Sequence, residues 1–128
     1  MSDSPTIGLN ARQRAAVRYI DGPLLVLAGA GSGKTSVITR KIAYLVSTCG
    51  IKPSHIAAVT FTNKAAREMK ERLGKLLRGS AVEGITVSTF HQLGLKILRA
   101  ERRELGLKAG FSIFDAEDTL TLVRDLLI

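Results

Sequence analysis

Tryptophan is absent from the 128 residues, and aromatics together make up only 5 %. Proline is scarce, at three residues, and Cys49 is the single cysteine. One cysteine excludes an internal disulfide and fits a reducing cytoplasmic compartment. Cys49 and two isolated histidines have no ligand spacing, so no structural metal site is expected. No apolar run approaches the roughly 20 residues of a membrane span. The opening MSDSPTIGLN lacks a basic segment followed by an apolar one, so it does not read as a signal peptide. Acidic residues are in the minority: 11 Asp+Glu against 19 Lys+Arg give a formal net charge of +8. That balance fits a polyanionic partner such as nucleic acid, with a solvated basic surface as the plain alternative. Hydrophobic residues, at 45 %, suffice for one small domain with a core.

The stretch Leu24 to Thr35, LLVLAGAGSGKT, organises the rest. Its apolar start, Leu24 to Ala28, reads as a buried strand. Gly29, Gly31 and Gly33 follow, then Lys34 and Thr35. Next comes a helical pattern with Val37, Ile38, Ile42, Leu45 and Val46 on one side. Strand, glycine loop, Lys-Thr and helix, in that order, is the context of a phosphate-binding P-loop (Walker A). Glycines let backbone N–H groups converge on phosphate oxygens without a β-carbon in the way. The helix starting near Gly33 points its positive end at the same place. Lys34 is expected to meet the β- and γ-phosphates as a point charge, and Thr35 to place its hydroxyl on Mg²⁺. The strict pattern G-x-x-x-x-G-K-[ST] puts Ala28 where the first glycine stands, which requires negative φ there. The nucleotide set is therefore Ala28, Gly29, Ala30, Gly31, Ser32, Gly33, Lys34 and Thr35. A glycine-rich turn with no ligand is the bland alternative.

Residues 1–8 read as a loose arm. Asn10 then opens a helix as N-cap, with Gln13 placed to complete a capping box, and Asp21-Gly22-Pro23 stops it. After the P-loop unit, Ile56 to Phe61 forms a second short apolar strand. Thr62 or Asn63 caps a helix to about Leu77, with Ala66, Met69, Leu73, Leu76 and Leu77 as its buried stripe. Its other face carries Lys64, Arg67, Lys70, Lys75 and Arg78. Glu68 and Glu71 are spaced to pair with Arg72 and Lys75. A loop from Gly79 to Gly84 leads to a third strand, Ile85 to Ser88, and a helix from Thr89 to about Leu105, interrupted by Gly94. Phe111 to Phe114 is a short extended piece. Asp115 caps a last helix with Leu120, Val123, Leu126 and Leu127 on its apolar stripe. Strands alternating with helices indicate an α/β layer with a parallel sheet.

Three further stretches go beyond a generic P-loop: LNARQRAA at 9–16, AVTFTNKAAREMKERL at 58–73 and ITVSTFHQLGLKILR at 85–99. With AGAGSGKT they resemble the Q motif and motifs I, Ia and Ib of the superfamily 1 DNA helicases of the UvrD/Rep/PcrA group. FSIFDAED at 111–118 is similar to a stretch just beyond motif Ib in that group. The resemblance implies an incomplete RecA-like, three-layer parallel α/β fold. It also implies that 9–105 belongs to ATP-binding domain 1A and 106–128 to the start of inserted domain 1B. By the same match, Gln13 reads the adenine edge, as an amide can with a donor and an acceptor side by side. Phe61, Thr62, Asn63 and Lys64 would line the path of single-stranded DNA in motif Ia, and Thr89, Phe90 and His91 that in motif Ib. An exposed aromatic can stack on a base, and hydroxyl, amide and ammonium groups can hold phosphates. Plainer roles stand beside these: Gln13 or Thr62 as helix caps only, Phe61 as core, His91 as a surface histidine.

No acidic Walker B motif of the D-E-x-Q-D kind is found, nor a second motor domain. The expectation is the N-terminal piece of a longer enzyme that uses ATP and Mg²⁺ on single-stranded DNA and duplex junctions, beside replication or repair proteins. The isolated piece is expected to be inactive. Two alternatives remain at this point: a segment that only binds nucleotide or single strands, and a small nucleotide kinase. The kinase leaves TFTNKAAREM unexplained.

Overall fold

The computed structural model describes residues 5–29, 33–79 and 81–128. Contacts divide the chain into two units, Met1–Leu93 and Gly94–Ile128. The division falls at Gly94, yet the helix Phe90–Ala100 runs through this glycine without the expected interruption.

In the first unit, α1 (Ala11–Arg18) starts at the expected capping box. Asn10 Oδ1 accepts from Gln13 N–H at 2.9 Å, and Gln13 Oε1 accepts from Asn10 N–H at 3.0 Å. The loose arm gives way over residues 5–8 to a turn, in which Thr6 is buried and Arg40 Nη1 donates to Pro5 O at 3.3 Å. Helix α2 (Lys34–Ser47) follows Gly33, and α3 (Asn63–Leu76) follows Thr62, whose Oγ1 accepts from Ala65 N–H at 3.1 Å. A short helix α4 (Ala81–Gly84) occupies part of the expected loop. It lies so close to the 3-10 turn Pro53–His55 that a β-carbon on Gly84 would sit 2.9 Å from Pro53 Cβ.

Strands β1 (Ala57–Thr60) and β2 (Thr86–Thr89) pair in parallel, from Ala57 opposite Thr86 to Thr60 opposite Thr89. Helix α3 packs on both strands, and α2 packs on α3. The core forms from Ile42 and Ala43 of α2, Met69 and Leu73 of α3, Ala58 of β1, and Ile56, Leu77, Val82 and Ile85 beside them. Four of the five stripe residues expected on α3 are buried or nearly so, and Leu76 packs partly against the same cluster.

The sheet has two strands among the described residues, not the three expected within this unit. Leu24 to Ala28 forms no strand, and Leu25 and Leu27 are 82 % and 88 % exposed. The physical reason is the lack of a pairing partner. Strand conformation needs a neighbour for its N–H and C=O groups, and neither β1 nor β2 flanks this run. The acidic pairings also differ. The ion pair found among the described residues is Lys64–Glu68, at 4.0 Å, not Glu68–Arg72 or Glu71–Lys75. At this exposure it contributes little.

Helix α5 (Phe90–Ala100) begins in the first unit, runs into the second, and gives way there to turns earlier than expected. The turns end in a Schellman pattern: Leu107 N–H donates to Arg102 O, and Gly106 N–H to Arg103 O, with Gly106 at φ +70°. Residues 111–114 form no strand. Helix α6 (Ala116–Leu127) starts at a capping box between Asp115 and Asp118, and its Leu126 and Leu127 are exposed. No described helix is long and apolar enough to cross a membrane.

Leu73 is completely buried, so Leu73→Ala is expected to cost about 2–5 kcal/mol in chemical denaturation. Hydrogen exchange of the 128-residue chain should show fast amides over 24–28 beside protected amides in β1. A cooperative thermal transition above about 60 °C with 24–28 protected would show instead that the apolar run is paired in solution.

Candidate functional site

Two features of the first unit gather the residues singled out in the sequence. The first is a pocket of about 610 Å³ between α1, the apolar run and the start of α2. Gln13, Ala28, Gly29 and Lys34 line it. Gly33 is the N-cap of α2, in the left-handed region at φ +80°, and no side chain caps that helix. The N-cap itself supplies no side-chain acceptor to the first-turn N–H groups of α2. No described residue other than glycine has positive φ, so Ala28 meets the condition set by its place in the pattern. Thr35 is the second residue of α2, half-buried, with its carbonyl accepting from Thr39 Oγ1 at 3.0 Å. Ala30, Gly31 and Ser32 lie outside the described residues.

Gln13 keeps its capping role and faces this pocket as well. A β-carbon on Gly33 would lie 3.4 Å from Gln13 Nε2, so the amide nitrogen is directed at the start of α2. The amide oxygen accepts from Asn10 N–H at 3.0 Å. A left-handed glycine, an uncapped helix start, an exposed lysine and an amide on the opposite wall fit a nucleotide with its phosphates on α2.

The second feature arises from the parallel pairing. Because Thr60 and Thr89 are opposite each other, the residues that follow them emerge side by side. Phe61 and Phe90 have ring centroids 5.3 Å apart and planes tilted by 42°. Phe61 is 88 % exposed and Phe90 54 %, which rules out the core role for Phe61. A polar notch of about 320 Å³ lies nearby, lined by Asn63, Arg67, Lys70 and Gln92. Thr62 is exposed while capping α3, Lys64 is exposed beside Glu68, and His91 is exposed. Thr89 departs from expectation. It is buried, and its Oγ1 accepts from Gln92 N–H at 3.2 Å, so its hydroxyl caps α5 rather than facing outward. No cluster of potential metal ligands occurs among the described residues.

The sequence does not single out some lining residues as site residues, although it places Arg67 and Lys70 on the basic face of α3. Lys41 lines the first pocket, and Arg67, Lys70 and Gln92 the second. The signal was helical spacing. Lys34, Val37, Ile38 and Lys41 share one face of α2, as Asn63, Ala66, Arg67 and Lys70 share one face of α3. Burial lowers the pKa of Lys41 from the ordinary lysine value, and the charge of Cys49 acts in the opposite direction.

The family model for the UvrD/REP helicase N-terminal domain matches residues 9–128. The ATP-dependent DNA helicase Rep of Escherichia coli (strain K12) is 58 % identical over 118 residues, covering 92 % of this chain and 18 % of that protein. The ATP-dependent DNA helicase PcrA of Bacillus subtilis (strain 168) is 49 % identical over 120 residues, 94 % of this chain and 16 % of that protein. The PcrA of Staphylococcus aureus (strain Mu50 / ATCC 700699) is 47 % identical over 119 residues, again 16 % of its own length. The chain thus spans less than a fifth of these relatives.

Gly33→Ala is expected to destabilise the chain by about 1–2 kcal/mol, because an alanine must adopt the left-handed conformation there. Phe61→Ala should change stability by less than about 0.5 kcal/mol, as for other exposed positions. Denaturant melts of the two variants check both.

Proposed function

The chain belongs to the UvrD/REP helicase family, and on that premise we propose that it is the ATP-binding N-terminal segment of a 3′-to-5′ DNA helicase. The whole enzyme would act in the cytoplasm, step along single-stranded DNA and open duplex junctions, beside replication or repair proteins. One observation carries this reading: a single unit of the chain holds both the pocket of Gln13, Gly29 and Lys34 and the exposed pair Phe61–Phe90.

The adenine is read by the Gln13 amide, and the phosphates lie on the loop from Ala28 to Gly33 and the first turn of α2. Lys34 would neutralise charge on the β- and γ-phosphates, and Thr35 would hold Mg²⁺, whose charge would favour phosphoryl transfer. On the DNA side, Phe61 and Phe90 present ring faces to bases. Asn63, Lys64, Arg67, Lys70 and Gln92 supply charge and hydrogen bonds for the backbone, with Thr62 and His91 beside them. In this reading 9–105 is part of domain 1A, within a RecA-like three-layer parallel sheet. Leu24 to Ala28 takes its place as a strand there, between neighbours supplied by the rest of the protein, and 106–128 begins domain 1B.

A second reading, that these 128 residues alone bind nucleotide or single strands without turnover, is favoured by the exposure of Leu25 and Leu27. ATP hydrolysis measured with and without single-stranded DNA separates the two. DNA-stimulated turnover by the full-length protein, with none from the 128 residues, is expected. Lys34→Ala in the full-length protein should abolish turnover with the fold intact, and unchanged turnover would sink the P-loop assignment. Phe61→Ala should weaken single-strand binding by about 1–3 kcal/mol, read by titration at fixed salt.

A further inference from the structure

The two helices that frame the nucleotide pocket are joined by an interaction that neither phosphate nor base contact explains. Lys41 lies two turns along α2 from Lys34 and lines the same pocket. Its Nζ donates to Ala16 O at 2.9 Å and also to Tyr19 O. These carbonyls belong to the end of α1, which Tyr19 N–H closes on Ala15 O. Carbonyls at a helix C-terminus lack intrahelical donors and carry the negative end of the dipole. An ammonium matches them in charge and brings three donors. Without it, two carbonyls turned toward α2 would lose the partner that replaces water.

Gln13 stands one turn before Ala16 on α1, with Nε2 directed at Gly33. The helices therefore meet at the start of α2, through Gln13 and Gly33, and again two turns along, through Lys41. The second contact sets how far α1 stands from α2, and with it the place of the Gln13 amide relative to the phosphate-binding turn.

We infer that Lys41 is a positioning residue for the nucleotide base: its ammonium clamps the end of α1 onto α2 and so holds Gln13 at the height where it meets an adenine. This rests on the reading of Gln13 as the adenine-recognising residue and extends it to a residue that acts through Gln13. Selectivity between purines then depends on an interaction between two helices, and not on the base contact alone.

The test is steady-state hydrolysis of ATP and of GTP by the full-length helicase at saturating single-stranded DNA. Lys41→Met is expected to raise KM for ATP about tenfold, with kcat within about twofold and KM for GTP nearly unchanged. Lys41→Arg, which keeps charge and donors, should restore the preference for ATP. If Lys41→Met does not fold, Lys41→Gln keeps an uncharged donor group, with two N–H, and carries the same comparison. Gln13→Ala tests the premise separately: if it leaves the preference intact, the reading of Gln13 fails. If Gln13→Ala removes the preference while Lys41→Met leaves it intact, or weakens ATP and GTP equally, the positioning role is overturned.

Discussion

The parallel pairing of β1 with β2 is the constraint on which the arrangement of the first unit depends. Two parallel strands cannot be joined by a tight turn, so the chain between them must cross over, and α3 and α4 form that crossover. The crossover buries Met69 and Leu73 against the strands and makes the core. It also delivers both strand ends to one edge. Phe61, Phe90 and the first turns of α3 and α5 come together because Thr60 is opposite Thr89. A register shift of one residue would turn every side chain of the shifted strand to the other face and separate what the pairing joins.

Elements whose cause is local were legible in the sequence. The capping box at Asn10–Gln13 and the cap at Asp115 need only residues three apart and formed as read, and Asp118 completes a second box with Asp115. The α3 stripe follows from helical period alone. The apolar run Leu24 to Ala28 was misread within this chain for the converse reason. Its residues are those of a buried strand, but burial and pairing are supplied by neighbours, and no described strand flanks it. Composition states what a segment requires; it cannot supply the partner.

The site was legible to the same degree. Gln13, Gly29 and Lys34 meet in one pocket because a motif encodes a local turn and the helix after it. Thr89 shows the limit: a hydroxyl at a helix start can face a ligand or cap the helix, and sequence does not decide which. Lys41 was hidden for a third reason. Its partners are backbone carbonyls 22 and 25 positions away, and carbonyls leave no trace in side-chain patterns.

If Phe61 and Phe90 stack on bases as proposed, the exposed pair bears on movement along a strand. Every base has a π-face, so ring faces grip purines and pyrimidines alike. Donors aimed at base edges would bind some bases more deeply than others and make the energy profile rough. In the proposed reading, two exposed rings at 5.3 Å would keep that profile shallow, so a strand drawn across them would meet similar resistance at each nucleotide whatever its sequence.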